Sequence, residues 1–356
     1  MKKLIAILLC LMLVFSLAAC AEQAPKPEPA PEPDTGTVTE PENNAEPEPE
    51  PEPEPAPEPA GPVSVGFLKG PTGMGAAYFM EQVENGDYGD TYKVTLDTDP
   101  SAVASALVSG ELGIASLPTN AALTLYNKTS GKVRIAAINT LGVLYILEKG
   151  DTINSVADLS GKTLYATGQG SNPEYVLNYI LSANGLVPGE DVTIEYLPSD
   201  ELSTKMAAGD IDLCMLPVPA ATGVLMKNSE VREALDLTEE WNAAATDGSI
   251  LTQGCVAIGP DVTDEQAAAF LEALGESINF MTDEANIDEA AALAEKHGIV
   301  GAAAVAKAAM PKCGMTLITG ADAMRDYLTG YFSVLYSANP DSIGGSMPDD
   351  GFYWGE

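Results

Sequence analysis

The stretch from residue 158 to residue 221 constrains the fold of this chain more than any other. It alternates three β-type runs with two helical patterns, the runs at 163–166, 192–196 and 211–216 and the helices at 173–183 and 200–208. Strands and helices that alternate at this spacing predict two βαβ units and therefore a parallel sheet. Open parallel sheets bind ligands beyond the carboxyl ends of their strands. The loops that follow the first and third runs are therefore candidate ligand-binding loops.

The order of these segments resembles the second lobe of one group of ABC-transporter substrate-binding proteins, the nitrate, sulfonate, taurine and thiamine-precursor group. The resemblance is carried by DLSGKTL, by GQGSNPEYVLNYIL and by GEDVTIEYLPSDELSTKMAAGDIDLCMLPVPAA. An earlier segment, SALVSGELGIASLPTNAALTL, has the same helix, Gly-Glu turn, strand and loop. No single motif is specific, but the ordered series covers most of the chain beyond Gly61.

The resemblance implies an α/β fold of the type II periplasmic binding protein kind. We expect two Rossmann-like lobes with mixed, mostly parallel sheets and a ligand cleft between them. Lobe one would comprise residues 61–139 and 253–356, and lobe two residues 140–252. The implied function is to capture a small organic or inorganic anion, or a molecule like a thiamine precursor, and to deliver it to an ABC transporter permease. We expect a monomer, without cofactor or metal.

Residues 1–20 have the pattern of a secretory signal. Lys2 and Lys3 precede an apolar run at 4–17 that is shorter than a membrane span and ends in Leu-Ala-Ala-Cys. A cysteine at the cleavage point resembles the bacterial lipoprotein signal, in which that cysteine is lipidated. We therefore predict a lipid anchor on Cys20 and a location on the extracytoplasmic side of the cell membrane. The alternative is an ordinary signal peptide with a chance cysteine.

Residues 21–60 form a low-complexity segment. They hold 13 of the 26 prolines and 12 acidic residues against one lysine. Repeated Pro-Glu cannot build a core or a helix, because proline removes hydrogen-bond donors and the glutamates repel one another. We predict an extended, disordered tether that holds the folded part away from the membrane.

The remaining 296 residues, 61–356, suffice for two lobes. The signal contributes +2 and the tether −11 to the net charge of −35, which leaves −26 for this part. So acidic a chain is not expected to bind nucleic acid, which needs a basic face.

Few of the remaining residues are typical of a catalytic or metal site. Cys214 is predicted to be a buried thiol, while Cys255 and Cys313 could form a disulfide. The one histidine, His297, precedes Gly298 in a pattern typical of a helix end. With no second histidine and no Cys-x-x-Cys, neither a hydrolytic triad nor a zinc site is supported, and we predict no catalytic residue.

Five strand-end loops supply the candidate ligand-binding residues. These are Thr72, Gly73, Met74, Pro118, Thr119, Asn120, Asn139, Thr140, Gln169, Gly170, Ser171, Asn172, Pro217 and Val218. The strongest candidate is the loop 168–172, because its glycines let the backbone pass close to a ligand and its N–H groups suit an anion. Thr119 or Asn120, and likewise Ser171 or Asn172, could instead serve only as helix caps. No Lys or Arg lies in these loops except Lys69 just before the first, so a neutral polar ligand is equally allowed.

Two other functions stay open at this point. One is an enzyme on the same fold, like chorismate dehydratase or a pyrimidine-precursor synthase, although the signal and tether place the chain outside the cell. The other is an adhesive or structural surface lipoprotein, which would have neither a cleft nor a ligand. The sequence also leaves open whether Trp241 packs or stacks on a ligand, and whether the aromatic residues at 352–354 dock or fray.

Overall fold

The computed structural model describes residues 61–355. The predicted signal peptide, the predicted lipidation site Cys20 and the predicted tether lie outside these residues. Within the described part, no helix combines the length and the apolar character that a bilayer span requires.

Eleven strands and twelve α-helices alternate along the described chain. The strands are β1 (Val63–Leu68), β2 (Tyr92–Asp97), β3 (Ile114–Pro118), β4 (Arg134–Leu141), β5 (Leu144–Lys149), β6 (Thr163–Ala166), β7 (Thr193–Tyr196), β8 (Leu213–Pro217), β9 (Val231–Asp236), β10 (Thr252–Ile258) and β11 (Met315–Ile318). The helices are α1 (Pro71–Met74), α2 (Ala77–Asn85), α3 (Pro100–Ser109), α4 (Thr119–Lys128), α5 (Asn172–Ala183), α6 (Ser199–Ala208), α7 (Ala220–Lys227), α8 (Leu237–Ala244), α9 (Asp264–Thr282), α10 (Ile287–Lys296), α11 (Ala303–Ala309) and α12 (Ala321–Ala338).

The strands form two mixed sheets, which confirms the predicted α/β class. The six-stranded sheet has the order β11-β4-β10-β3-β1-β2, and the five-stranded sheet has the order β7-β6-β8-β5-β9. The segment that resembles a second lobe builds the parallel part of the five-stranded sheet, with β6 between β7 and β8. The two βαβ units predicted for this stretch are thus present.

Both sheets contain reversed strands. In the six-stranded sheet β10 is antiparallel to β3 and β4, and the edge strand β11 is also antiparallel to β4. In the five-stranded sheet β5 is antiparallel to β8 and β9. Strands β10 and β5 begin at the edge where those neighbours end. Because β4 ends at Leu141 and β5 begins at Leu144, the chain passes directly from the carboxyl edge of one sheet to that of the other. The return through α8 to Thr252 joins the same two edges.

The cores of the two sheets are continuous. One hydrophobic cluster contains Ile135 of β4, Leu164 of β6 and Trp241 of α8, all buried. Helix α12 joins this cluster through apolar side chains that include Met324 and Leu328. The helix also packs against α5, which flanks the five-stranded sheet.

Several open questions from the sequence are settled by packing. Trp241 is fully buried, stacks near Tyr179 with ring centroids 4.7 Å apart, and donates to the carbonyl of Ser249 at 3.3 Å, so it is a packing anchor. The C-terminal aromatic segment docks: Phe352 is buried, and the N–H of Trp354 donates to the carbonyl of Ile135 at 2.8 Å.

The cysteines are free thiols. Cys214, Cys255 and Cys313 are all buried and unpaired, so the disulfide considered between the last two is wrong. Burial raises the pKa of each thiol to about 12, because the thiolate would lose its hydration. These side chains act as small apolar residues of the core.

The crossing between the sheets depends on a glycine. A Cβ on Gly142 would lie 2.3 Å from Oγ1 of Thr238 and 2.9 Å from Cδ2 of Leu251. Gly142→Ala should therefore overpack the crossing and lower the free energy of unfolding by about 1–3 kcal/mol. Gly223→Ala is the matched control, because no atom lies within 4 Å of its Cβ position in α7. Denaturant unfolding should show the control equal to or more stable than the parent; equal stability of Gly142→Ala would contradict the packing argument.

Candidate functional site

Polar side chains are buried where the carboxyl edges of the two sheets meet. Of the eleven buried polar or charged residues among those described, seven lie here. We call this group the buried polar cluster; it consists of Thr72, Ser116, Thr119, Asn139, Thr140, Asn172 and Thr252. All seven side chains are uncharged. A concentration of buried hydroxyl and amide groups at strand ends is what distinguishes this region from the apolar cores on either side.

Asn139 is the centre of the cluster. It lies near the end of β4, where its Nδ2 donates to Oγ of Ser116 at 2.6 Å and to the carbonyl of Thr72 at 3.2 Å. Its Oδ1 accepts from Oγ1 of Thr140 at 3.2 Å. A buried amide must find such partners, because an unsatisfied one costs about 1–3 kcal/mol.

A second chain of hydroxyl groups joins β10 to the cluster. Oγ1 of Thr252 donates to the carbonyl of Thr140 at 3.1 Å and lies 3.1 Å from Oγ1 of Thr119. The alternative in which Thr119 or Asn120 only caps α4 is excluded, since Pro118 is the N-cap residue and makes no side-chain cap. Asn120 turns away instead and donates to the carbonyl of Ser342 at 3.2 Å.

The predicted site residues Thr72, Gly73 and Met74 lie on a short helix before α2 and not on a loop. Residues Pro71–Met74 form one helical turn in which Thr72, Gly73 and Met74 are buried. A Cβ on Gly73 would lie 2.1 Å from the carbonyl oxygen of Leu68, so only glycine fits this close approach. Thr72 takes part through its carbonyl, while Met74 belongs to a hydrophobic cluster.

Val218 belongs to the same hydrophobic cluster as Met74. Its backbone N–H donates to the carbonyl of Val143 at 3.0 Å, and Pro217 pairs with Leu144. The predicted site residues Pro217 and Val218 are therefore held in apolar and backbone contacts and contribute no polar side chain to the site.

The loop before α5 has the predicted backbone. Gly168 and Gly170 have φ of 83° and 70°, a conformation that favours glycine, and Pro173 lies in the first turn of the helix. Ser171 occupies the N-cap position, but its hydroxyl donates to the carbonyl of Gly168 at 2.6 Å and does not cap. Gln169 and Gly170 are exposed.

Asn172 connects the loop to the other sheet. Its Nδ2 lies 3.4 Å from Oε1 of Gln253 on β10, and its Oδ1 accepts from the buried hydroxyl of Tyr331 at 2.9 Å. The alternative in which Asn172 only caps the helix is excluded, because Ser171 holds the N-cap position and Asn172 is the first residue of α5. Its side chain bridges α5, β10 and α12 instead.

Four site residues were missed by the sequence analysis. Ser116 and the run Thr252-Gln253-Gly254 come from β3 and β10, and a Cβ on Gly254 would lie 2.7 Å from Cγ2 of Thr72 and 3.0 Å from Oδ1 of Asn139. The available signal was the polar start of an otherwise apolar strand at 252–258. Because β10 is reversed, its first residues, not its last, lie at the edge where β3 and β4 end.

The loop before α5 is contacted by two side chains of that helix, Glu174 and Tyr175. The backbone N–H of Gly170 donates to the carboxylate of Glu174, and the hydroxyl of Tyr175 donates to the carbonyl of Gly170 at 3.2 Å. The loop is thus held by side chains of the helix that it precedes.

His297 lies at the end of α10, as predicted, with Gly298 in the left-handed conformation at φ 71°. Its Nε2 lies 3.0 Å from Oε2 of Glu81 on α2. Nζ of Lys296 bonds Glu81 and Glu84 at 2.5 and 2.9 Å. The ammonium therefore occupies the space between the two carboxylates, and the group is an ion-pair network that ties α10 to α2.

The role of Asn172 can be tested by stability. Asn172→Ala would leave the buried Tyr331 hydroxyl without its acceptor and should lower the free energy of unfolding by about 1–3 kcal/mol. Ser171→Ala loses one partly buried bond and should cost about 0.5–1.5 kcal/mol. The double variant Asn172→Ala with Tyr331→Phe should lose less unfolding free energy than the sum of the two single variants, because both substitutions remove the same hydrogen bond. Additive losses in urea unfolding would contradict the bridge.

Comparison with known proteins gives a family match and solved structures of similar architecture. The family model described as NMT1/THI5 like matches residues 93–286. A crystal structure of an ABC transporter protein from Parabacteroides distasonis has 25% identity and a TM-score of 0.70, covering 83% of this chain and 100% of that one. No curated protein gives a significant sequence match.

Two further solved structures share the fold. The periplasmic aliphatic sulphonate binding protein SsuA from Escherichia coli has 16% identity and a TM-score of 0.66, covering 83% of this chain and 92% of that one. The alkanesulfonate-binding protein SsuA from Xanthomonas axonopodis pv. citri, bound to MOPS, has 17% identity and a TM-score of 0.56, covering 83% and 96%.

Proposed function

Because the chain belongs to the NMT1/THI5-like family, we propose that it is an extracytoplasmic substrate-binding protein of an ABC importer. The observation that carries the proposal is the buried polar cluster between two carboxyl edges. This is where open α/β sheets bind ligands, and the structural relatives named above include two sulfonate-binding proteins. The ligand would be a small polar molecule that is handed to a permease.

The two sheets support the proposed division into lobes. Strands between residues 63 and 141, together with β10 and β11, form one sheet, and strands between 144 and 236 form the other. We propose that residues 61–139 and 253–356 form lobe one and residues 140–252 form lobe two. The chain then crosses between lobes around Gly142 and again before Thr252. A protein with two such connections can close around a ligand by a hinge movement.

Binding without turnover is part of the proposal. The polar cluster offers hydroxyl and amide groups from Ser116, Asn139 and Thr140, which hold a ligand through hydrogen bonds. A ligand that contacts both edges favours the closed arrangement, because it gains contacts there that the open one lacks. Recovery of the ligand unchanged after incubation would separate this function from that of an enzyme on the same fold.

Ligand binding should require Asn139. A screen by thermal shift over sulfonates, nitrate, pyrimidines, carboxylates and amines should find a ligand that raises the unfolding free energy, by about 2.7 kcal/mol at 100 times its Kd. Asn139→Ala should weaken that ligand at least tenfold, about 1.4 kcal/mol, because the cluster loses its central amide. Calorimetric titration provides the affinity.

Asn127→Ala is the matched control for this variant. Asn127 also donates two bonds to backbone carbonyls, those of Ile343 at 2.7 Å and Ser346 at 2.8 Å, but it lies outside the cluster. Its loss should reduce stability and leave affinity unchanged. If both variants bind as the parent does, the polar cluster is not the ligand site.

The proposed location depends on Cys20, which lies outside the described residues. Lipidation of Cys20 would fix the chain to the membrane, and an extended tether of about 40 residues at ~3.1 Å each would reach on the order of 120 Å. Cys20→Ala should release the protein from the membrane fraction or block processing. Membrane association that survives the substitution, measured by fractionation and immunoblotting, would contradict the lipid anchor.

A further inference from the structure

A groove on one flank of the described chain lies between helices that belong to the two sheets. Helix α5, which flanks the five-stranded sheet, forms one wall, and α12, which packs on β4 of the six-stranded sheet, forms the other. The segment after α8 contributes Asp247. The groove has a volume of about 420 Å³, enough for a small molecule, and it shares no residue with the buried polar cluster.

Asp247 is the single charged residue among those that line this groove. Its Oδ1 accepts from the backbone N–H of Ser249 at 3.0 Å, and this hydrogen bond holds the pKa of the carboxyl below its ordinary value. The carboxylate lies close against α12, because a Cβ on Gly330 would be 2.6 Å from its Cγ. A negative charge is therefore fixed in the groove, and no Lys or Arg among the lining residues neutralises it.

The α5 wall of the groove is aromatic and has an unused hydrogen-bond acceptor. The ring of Tyr179 lies 4.7 Å from that of Trp241, and the hydroxyl of Tyr175 accepts from Nδ2 of Asn339 at 3.1 Å, so both tyrosines are held in place. On the same wall, Oδ1 of Asn178 is buried and has no hydrogen-bond partner among the described residues. A buried polar atom without a partner requires an explanation, and a bound molecule with N–H donors supplies one.

The α12 wall is made of small residues, which leave room beside these groups. It presents Gly330, Ser333 and Ser337 to the groove. The groove thus combines one carboxylate, aromatic rings and hydrogen-bond acceptors. An organic cation fits this combination, because it is attracted by the carboxylate and by the faces of aromatic rings. An oxyanion would find no cationic group among the lining residues.

We propose that the groove between α5 and α12 is a second small-molecule site, which takes an organic ammonium ion with a short apolar body. Asp247 pairs with the ammonium group, and the body lies between Tyr179 and the small residues of α12. This site is separate from the ligand-binding site of the proposed function, so that either can fail without the other. Because its two walls are helices of different sheets, a bound molecule contacts both halves of the chain.

A purely structural role for Asp247 makes a different prediction. Asp side chains commonly accept from the backbone N–H two residues later in a turn, as Asp247 does from Ser249. Asp247→Asn keeps an acceptor for that N–H and removes only the charge. Under the structural role, the substitution leaves ligand affinity unchanged. Under the proposal, it weakens cationic ligands and has no such effect on anionic ligands of the same shape.

2-Phenylethylamine and 3-phenylpropanoate are the probes, because they have similar length and shape but opposite charge. Calorimetric titration or ligand-observed NMR on the full chain should show the amine binding at least tenfold more tightly than the carboxylate. Asp247→Asn should weaken the amine at least tenfold. Ser333→Phe should do the same by filling the groove, and because Ser333 is exposed on α12 the added ring does not enter the core.

Glu190→Gln is the matched control for Asp247→Asn. Glu190 is exposed in the connection between α5 and β7 and does not line the groove, so its substitution removes one negative charge from the chain without changing the site. It should leave the affinity for the amine unchanged. An equal loss in Glu190→Gln and Asp247→Asn would attribute the effect to overall charge and overturn the proposal.

Three other results would also overturn the proposal. The first is failure of the amine to bind at millimolar concentration. The second is equal or tighter binding of the carboxylate, which would make the groove an apolar surface without selectivity for charge. The third is amine binding that is lost in Asn139→Ala and kept in Ser333→Phe, because the amine would then occupy the space near the buried polar cluster. That third result would leave the proposed function standing while the second site fails.

Discussion

One reversed internal strand in each sheet, β10 in the larger and β5 in the smaller, is the constraint on which the rest of the structure depends. Strands β5 and β10 begin where their neighbours end, so each can receive the chain directly from the opposite sheet. A parallel strand could not do this, because its start lies at the other edge and needs a longer crossover. The two carboxyl edges are therefore brought face to face by short connections. The polar side chains at the ends of these strands therefore lie between the two sheets.

That space is polar and still well ordered, because its groups satisfy one another. Asn139 uses both its amide nitrogen and its oxygen on neighbouring residues, and Thr252 links Thr119 to the backbone of β4. A neutral network of this kind avoids the large cost of burying a charge without a partner. It also preorganises hydroxyl and amide groups, which reduces the loss of side-chain freedom when a ligand binds. Four residues of the cluster, Ser116, Asn139, Thr140 and Thr252, lie on strands, and the other three lie in the first turns of α1, α4 and α5.

The sequence predicted the architecture better than the site. The alternation of β-type runs and helices between residues 158 and 221 was enough to predict the parallel part of one sheet. The expectation that ligand-binding residues follow strand ends selected Asn139, Thr140 and Thr72, which the structure joins by hydrogen bonds. It missed Ser116 and Thr252, because no local pattern reveals that β10 is inserted in reverse between two strands that lie far earlier in the chain. Capping, the alternative role left open for Thr119 and Asn172, is excluded because both side chains bond to distant residues. The hydrogen-bond partners of such residues depend on which strands and helices meet in the folded chain. A single sequence does not state those contacts.

The position of α12 has a mechanical consequence. Its Tyr331 lies 6.0 Å from the ring of Trp241 and bonds to Asn172, so an aromatic wedge joins the helices of both sheets on one flank. Pulling this wedge apart would expose rings of about 150–250 Å² each, which at about 25 cal/mol/Å² costs roughly 4–6 kcal/mol per ring. The loop at Gly168 and Gly170 is held instead by hydrogen bonds from its own helix. Relative motion of the two halves should therefore be smallest beside Trp241.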